Sequence, residues 1–283
     1  MLRFRYYVLM VCFPNCKINV GLYITNRRPD GYHDLETVFY PITGLNDALE
    51  VVPATGPAAK LLLNGKDIAG SVEQNLVWKA YELMKQRFPA KVPALDIHLL
   101  KSIPMGAGLG GGSADGAFML RLLNDYCRME LTDKYLADMA LELGSDCPFF
   151  IYNTPQFAKG RGEQMSPMPL LDLSKYSIQL ICPEVHISTK DAFGMITPRK
   201  PMFDLRTLPE LSISQWKDNV SNDFEDAVFM QHPELGNIKR ALYEQGAIYT
   251  SMSGSGSALY GIFEKGVKAE ISSALTFSTH YMN

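Results

Sequence analysis

Residues 104–116 read PMGAGLGGGSADG, with five glycines between Met105 and Ser113. No other stretch restricts the fold as much. It follows an alternating apolar segment, ALDIHLLK, that reads as a strand. It leads into a segment whose apolar residues Phe118, Met119, Leu122, Leu123 and Tyr126 recur at helical spacing. Glycines let the backbone approach a ligand closely, consecutive N–H groups make an anion nest, and the helix start adds partial positive charge. A strand, a glycine loop and a helix in that order predict a phosphate cradle.

Three common glycine loops do not fit. A Walker A loop needs Lys and Ser/Thr after its last glycine, but Gly112 is followed by Ser113 and Ala114. Gly106, Gly108 and Gly111 satisfy GxGxxG, but that fold also needs an acidic residue about 20 positions on, at a strand end. The nearest candidate, Asp125, falls within the helical pattern. A protein-kinase glycine loop lies between two strands, whereas this one opens a helix.

The wider sequence predicts an α+β chain with two domains, divided as 1–160 and 161–283. Strands are expected at 4–12, 17–24, 35–41, 47–53, 59–63 and 94–101. Two further helices show apolar stripes: Leu76, Val77, Ala80, Tyr81, Met84, and Tyr135, Leu136, Met139, Ala140, Leu143. Thr132 is placed to cap the second of these, and Gly144 to end it. Residues 154–175 are rich in Pro, Gly, Ser and charge and read as the inter-domain loop. Beyond them the pattern predicts a strand at 176–182, a loop at 194–209, helices at 222–231 and 233–245, a hairpin at 247–263 and a last helix near 268–276. Strands and helices mix without regular βα alternation, which favours α+β over a doubly wound sheet.

Net charge is −3 with Lys and Arg dispersed, so neither nucleic acid nor an anionic membrane is expected as a partner. Five cysteines without a CxxC pair or zinc spacing suit a reducing cytoplasm and read mostly as small core residues. The N-terminal MLRFRYYVLMVCF is interrupted by tyrosines and lacks a small-residue cleavage site, so it reads as a strand with a short extension.

PMGAGLGGGSAD resembles the second motif of the GHMP small-molecule kinases. PNCKINVGL (14–22) resembles their first motif and SMSGSGSALYG (251–261) their third. The resemblance implies ATP-dependent phosphoryl transfer with Mg²⁺. It also implies an N-terminal domain like the second domain of ribosomal protein S5 and a ferredoxin-like C-terminal domain. The stretch Pro104, Met105, Gly106, Ala107, Gly108, Leu109, Gly110, Gly111, Gly112, Ser113, Ala114 would then hold ATP. Asn75 and Lys101 match positions that contact adenine in similar kinases, although an N-cap and an exposed strand end are their ordinary readings. Mg²⁺ is commonly held by few carboxylates plus phosphate oxygens, so no ligand is assigned.

Asp146, in LGSDCPFF, stands past a helix end and ahead of an apolar segment that reads as a strand. A turn aspartate is the ordinary reading. The family branch carries Gly-x-Asp-x-Pro here, which implies a catalytic carboxylate with Lys17 as its partner, the pair orienting and deprotonating the acceptor hydroxyl. RPDGYHDLET (28–37) resembles the branch whose acceptor is a cytidine-diphosphate sugar alcohol. By that resemblance Tyr32 and Phe193 stack on cytosine and His33 hydrogen-bonds its edge, while Asn19 and Thr189 contact the remainder of the substrate. Cys16 stands where the first motif usually has Ala. Rival readings are another GHMP kinase with a different alcohol, a nicotinamide oxidoreductase and a non-catalytic nucleotide sensor. Monomer and weak homodimer both remain open.

Overall fold

The structure, a computed structural model, describes residues 10–67, 70–272 and 276–282. Its strands are β1 (Met10–Cys12), β2 (Asn15–Arg27), β3 (His33–Asn46), β4 (Ala48–Pro53), β5 (Lys60–Gly65), β6 (Leu95–Lys101), β7 (Gln156–Gly160), β8 (Gln164–Pro167), β9 (Tyr176–Pro183), β10 (Tyr249–Met252), β11 (Leu259–Glu264) and β12 (Phe277–Met282). Its helices are α1 (Leu76–Arg87), α2 (Gly111–Tyr126), α3 (Asp133–Leu143), α4 (Cys147–Tyr152), α5 (Thr189–Gly194), α6 (Ile213–Asn219), α7 (Glu225–Gln231) and α8 (Pro233–Glu244).

The chain packs as two compact units that interleave along the sequence. One takes the described residues up to Cys16, with Leu45–Met105 and Gly111–Tyr152; the other takes Lys17–Gly44, Gly106–Gly110 and the chain from Asn153 onward. The glycine loop therefore begins in the second unit and ends in the first.

In the first unit the sheet order is β1-β4-β6-β5, antiparallel except for the parallel β5–β6 pair. Strand alternation buries Leu49, Val51, Leu95, Ile97 and Leu99, while Glu50, His98 and Leu100 lie on the other, wetter face. The helices obey the stop and start signals in the sequence. Asn75 caps α1 by accepting from Val77 N at 2.9 Å, and Thr132 caps α3 by accepting from Tyr135 N at 3.3 Å. Gly144 closes α3. Gly116 lets α2 approach α1, since an added Cβ would stand 3.0 Å from Leu76 Cβ.

Among its described residues the second unit holds two sheets, β2-β3-β7-β8 and the all-antiparallel β10-β11-β9-β12. Leu22, Ile24, Ile181, Phe224, Val228, Ile238, Leu242 and Leu259 share its core.

Several expected elements differ. The apolar segment after Asp146 is the short helix α4, because Pro148 at a first turn suits a helix start and both Phe149 and Phe150 are buried, where an amphipathic strand would bury alternate residues. Residues 154–175 contain the β7–β8 hairpin, whose β7 pairs with β3. Residues 268–272 form no helix, and the chain closes with strand β12 beside β9; positions 273–275 of that expected helix lie outside the described residues. Of the expected first strand, 10–12 is a strand and 4–9 lies outside the described residues. An unexpected helix, α6, follows a 3₁₀ turn at Leu205–Glu210.

Candidate active site

Within the second unit the three motifs meet. Strand β2 carries Lys17 and Asn19, both buried. Lys17 N donates to Leu109 O at 3.0 Å, which joins the strand to the glycine loop. Ser253, in the β10–β11 turn, donates from Oγ to Gly108 O at 2.8 Å and accepts from Asn19 N at 3.2 Å. Ala258 N donates to Ala107 O at 3.1 Å. First, second and third motifs are thus one hydrogen-bonded cluster.

The cluster explains the glycine at 108. Its φ is +78°, and a Cβ there would lie 1.9 Å from Ser253 O. Neither backbone strain nor the third-motif turn leaves room for a side chain. Gly108→Ala is expected to lose at least the 1–3 kcal/mol, roughly, of a strained backbone position. A thermal melt and an ATP titration check it: both should fall, and parental values would mean the loop tolerates displacement.

Lys17 Nζ donates to Asn19 Oδ1 and lies 5.1 Å from the centroid of the Phe39 ring. Asn19 Nδ2 donates to Thr37 Oγ1 at 2.9 Å, and Thr37 in turn donates to Gly21 O at 2.6 Å. A buried ammonium needs such partners. The network fixes the Asn19 amide with its oxygen toward Lys17.

The β2–β3 turn presents the substrate-side candidates. Gly31 adopts φ +87°, and Arg28 braces the turn against Asp30 at 2.8 Å and Asp34 at 3.1 Å. The Arg28 hydrogen bond holds the exposed Asp30 carboxyl below its usual range. Tyr32 is 57% exposed, large for an aromatic ring. His33 stacks on Phe193 with centroids 4.9 Å apart, and Phe193 meets Phe224 edge-on at 4.9 Å. Thr189, the first residue of α5, lies 3.2 Å from Ser255 Oγ, so it borders the third-motif turn.

The first unit holds the remaining candidate residues. Asp146 sits half-buried in the turn between α3 and α4. Its neighbour Cys147 is buried, its thiol pushed up to about 12 mainly by that burial, and it hydrogen-bonds with the Ser113 side chain. The first turn of α2, where the phosphate loop ends, is thereby tied to the Asp146 turn. Cys16 and Cys182 are likewise buried, and none of the five cysteines forms a disulfide.

Lys101 is not an exposed strand end. Its side chain is 1% exposed, and its ammonium pairs with Asp47 and, at 2.8 Å, with Asp115. Asp47 also accepts from Ser102 N at 2.5 Å and Ile103 N at 2.9 Å. Burial drives the Asp115 carboxyl well above the usual carboxylate range, although Lys101 opposes the shift. A Cβ on Gly111 would stand 2.8 Å from Ile103 and 3.2 Å from Lys101 Nζ, so this glycine lets α2 begin against the ion group. Asn75 is half-buried, with its side-chain oxygen engaged as the α1 cap.

Sequence reasoning passed over Ser253, Thr37, Asp47 and Asp115 as individual residues. Asp115 did carry a signal. It precedes Met119 by four and Leu122 by seven, which puts a carboxylate on the buried stripe of α2.

A glycine loop hydrogen-bonded to a lysine strand and to a second glycine turn suits the holding of phosphate, and the comparisons with known proteins place the chain among small-molecule kinases. The family model for the GHMP kinases N terminal domain matches residues 75–154, and that for the GHMP kinases C terminal matches 206–279. A 4-diphosphocytidyl-2-C-methyl-D-erythritol kinase of Bacteroides thetaiotaomicron is 51% identical over 257 residues, 90% of this chain and 92% of its own. One of the same name from Parabacteroides distasonis is 49% identical over 256 residues, with the same coverage of both chains. Among solved structures, that of a 4-(cytidine 5'-diphospho)-2C-methyl-D-erythritol kinase aligns with a TM-score of 0.76 at 31% identity, covering 89% of this chain and 90% of that one. Homoserine kinase from Cytophaga hutchinsonii, at 15% identity and a TM-score of 0.70 over 95% and 94% of the two chains, shares the fold. The chain belongs to the GHMP kinase family, with its two-domain α+β fold.

Proposed function

We propose that this kinase transfers the γ-phosphoryl group of ATP to the 2-hydroxyl of 4-diphosphocytidyl-2-C-methyl-D-erythritol, in the methylerythritol phosphate route to isoprenoid precursors. The observation that carries the acceptor assignment is the ring group of the second unit. Tyr32 is exposed at the tip of a braced turn, beside a His33 ring stacked on Phe193. An exposed aromatic face stacks on any base, and a directed hydrogen bond is what selects cytosine. The names carried by relatives of about half identity support the same reading.

In the reaction the backbone from Pro104 to Ala114 cradles the phosphates, so that catalysis is positioning and charge stabilisation. Lys17 stabilises charge developing on the acceptor oxygen, and Asp146 takes its proton. Asn75 and Lys101 shape the adenine end, Asn75 from the α1 cap. Tyr32 and Phe193 flank the base, which requires His33 to turn off the Phe193 face and onto the edge of the cytosine. Asn19 and Thr189 hold the diphosphate or the methylerythritol portion. Mg²⁺ would be held mainly by the phosphate oxygens of the nucleotide and would supply neutralisation of the transferring group's charge. A domain boundary at 160/161 belongs to the proposal, and the two family matches fall on either side of it. So do a cytoplasmic site of action, small-molecule partners alone, and a monomer or weak homodimer. Among the described residues no helix is long and apolar enough to cross a membrane.

The deciding experiment measures ADP release from ATP with the cytidine-diphosphate alcohol, mevalonate and homoserine in parallel. Turnover confined to the first is expected; turnover with another alcohol would reassign the acceptor. Within that assay Tyr32→Ala should raise KM for the cytidine substrate by about the 1–3 kcal/mol of a lost base stack, roughly 5- to 150-fold. Its KM for ATP should stay unchanged. A fall in ATP affinity instead would put this turn in the nucleotide pocket.

A further inference from the structure

An exposed ring is a costly anchor, because it must be ordered when the base arrives. Tyr32 does not stand alone, however. The Arg161 guanidinium lies over its ring, 5.1 Å from the centroid, within reach of a cation–π interaction. Arg161 comes from a different element, the β7–β8 turn. It reaches Tyr32 because β7 runs beside β3 with Gly160 opposite Leu35, which brings that turn to the end of the sheet where the Tyr32 turn begins.

The Arg161 turn is itself built to shape. Gly160 and Gly162 adopt φ of +70° and +106°, and Arg161 N donates to Glu163 Oε2 at 2.6 Å. Among the described residues no carboxylate lies within ion-pair distance of the guanidinium, although the Asp30 carboxyl feels its charge. The planar cation is therefore spent on the ring.

We propose that Arg161 is a positioning residue for the acceptor site, holding one face of Tyr32 so that the other is presented ready to stack on a pyrimidine base. This rests on the reading of Tyr32 given above. The chemistry is preorganisation: a side chain already held in place loses less freedom on binding. A guanidinium suits the task better than an ammonium, since it lies flat on an aromatic face.

The test is a double-mutant cycle with CDP as the probe, titrated into the parent chain, Arg161→Ala, Tyr32→Ala and the double variant. Arg161→Ala should weaken CDP binding by about 3- to 10-fold, the range of one side chain's ordering cost. Tyr32→Ala should weaken it further, and the double variant should bind no worse than Tyr32→Ala alone. ATP affinity should be equal in all four, and Arg161→Lys should recover part of the loss. Additive effects would mean that Arg161 contacts the ligand directly, and an Arg161→Ala variant equal to the parent would mean that it does nothing; either result overturns the positioning role with the cytidine site intact. A parent chain that binds ATP but not CDP overturns the cytidine reading itself, and this inference falls with it.

Discussion

Asp146→Asn is expected to fold as the parent chain does and to lose about 10²-fold or more of kcat, the scale of a general base removed from its reaction. The substitution keeps size and shape, so the turn between α3 and α4 has no steric reason to change. What it removes is the capacity to take a proton. The residue's surroundings favour this outcome over a purely structural role. A turn aspartate acts by accepting local backbone N–H groups, and an asparagine oxygen serves that purpose nearly as well. Asp146 adjoins Cys147, whose thiol meets Ser113 in the first turn of α2, so the carboxylate stands near the end of the phosphate loop within its own unit. Thermal melting of the purified variant, together with ADP release under saturating ATP and acceptor, separates the two roles. Parental Tm with turnover reduced a hundredfold places Asp146 in the chemistry. Parental Tm with near-parental turnover removes it.

The parts of this molecule that could be read from sequence are those in which a residue's own conformational preference decides the outcome. Asn75 and Thr132 cap helices because short polar side chains satisfy the first N–H groups, and that needs no tertiary partner. The glycine run signals its function because glycine adopts φ of +68° to +78° at 106, 108 and 110 without the steric cost a side chain would add. The segment after Asp146 was misread because short apolar runs carry no decisive period, and tertiary burial of five consecutive residues, Cys147 to Ile151, goes with a helix there. Near the end of the chain residues 268–272 form no helix, and strand β12 (Phe277–Met282) follows, its pairing with β9 announced by no local signal. The interleaving of the two units is of the same kind, since β2 and β3 precede the first unit's sheet strands β4 to β6 in sequence yet pack with the chain beyond Asn153. The Asp47, Lys101 and Asp115 group is the clearest case. Residues 54 and 14 apart converge on one buried ammonium, and neither spacing has meaning until the sheet and α2 exist.

Lys101→Met tests what that group does. Removing one partner from a buried ion group, with the others left in place, costs about 3–5 kcal/mol, because the remaining charges keep their desolvation penalty and lose their compensation. For a protein of this size that is a fall in Tm on the order of 10 °C. The loss should depend on pH with a definite sign. Burial already holds the Asp115 carboxyl high, with Lys101 the main influence pulling it down. Without the ammonium that carboxyl rises further. The folded variant then binds more protons than its unfolded chain, whose aspartates titrate near 3.9, so its stability falls as pH rises through the folded-state value. The deficit relative to the parent should accordingly be smaller at pH 5 than at pH 8. Asp115→Asn makes the complementary measurement: it removes a charge the fold already disfavours, and should cost far less than Lys101→Met. The nucleotide readout decides whether Lys101 acts through the fold or on ATP. Because Gly111 begins α2 against this group, a loosened triad should weaken ATP binding in step with the loss of stability. A Lys101→Met chain that melts with the parent yet no longer binds ATP would instead make the ammonium a direct ligand of the nucleotide.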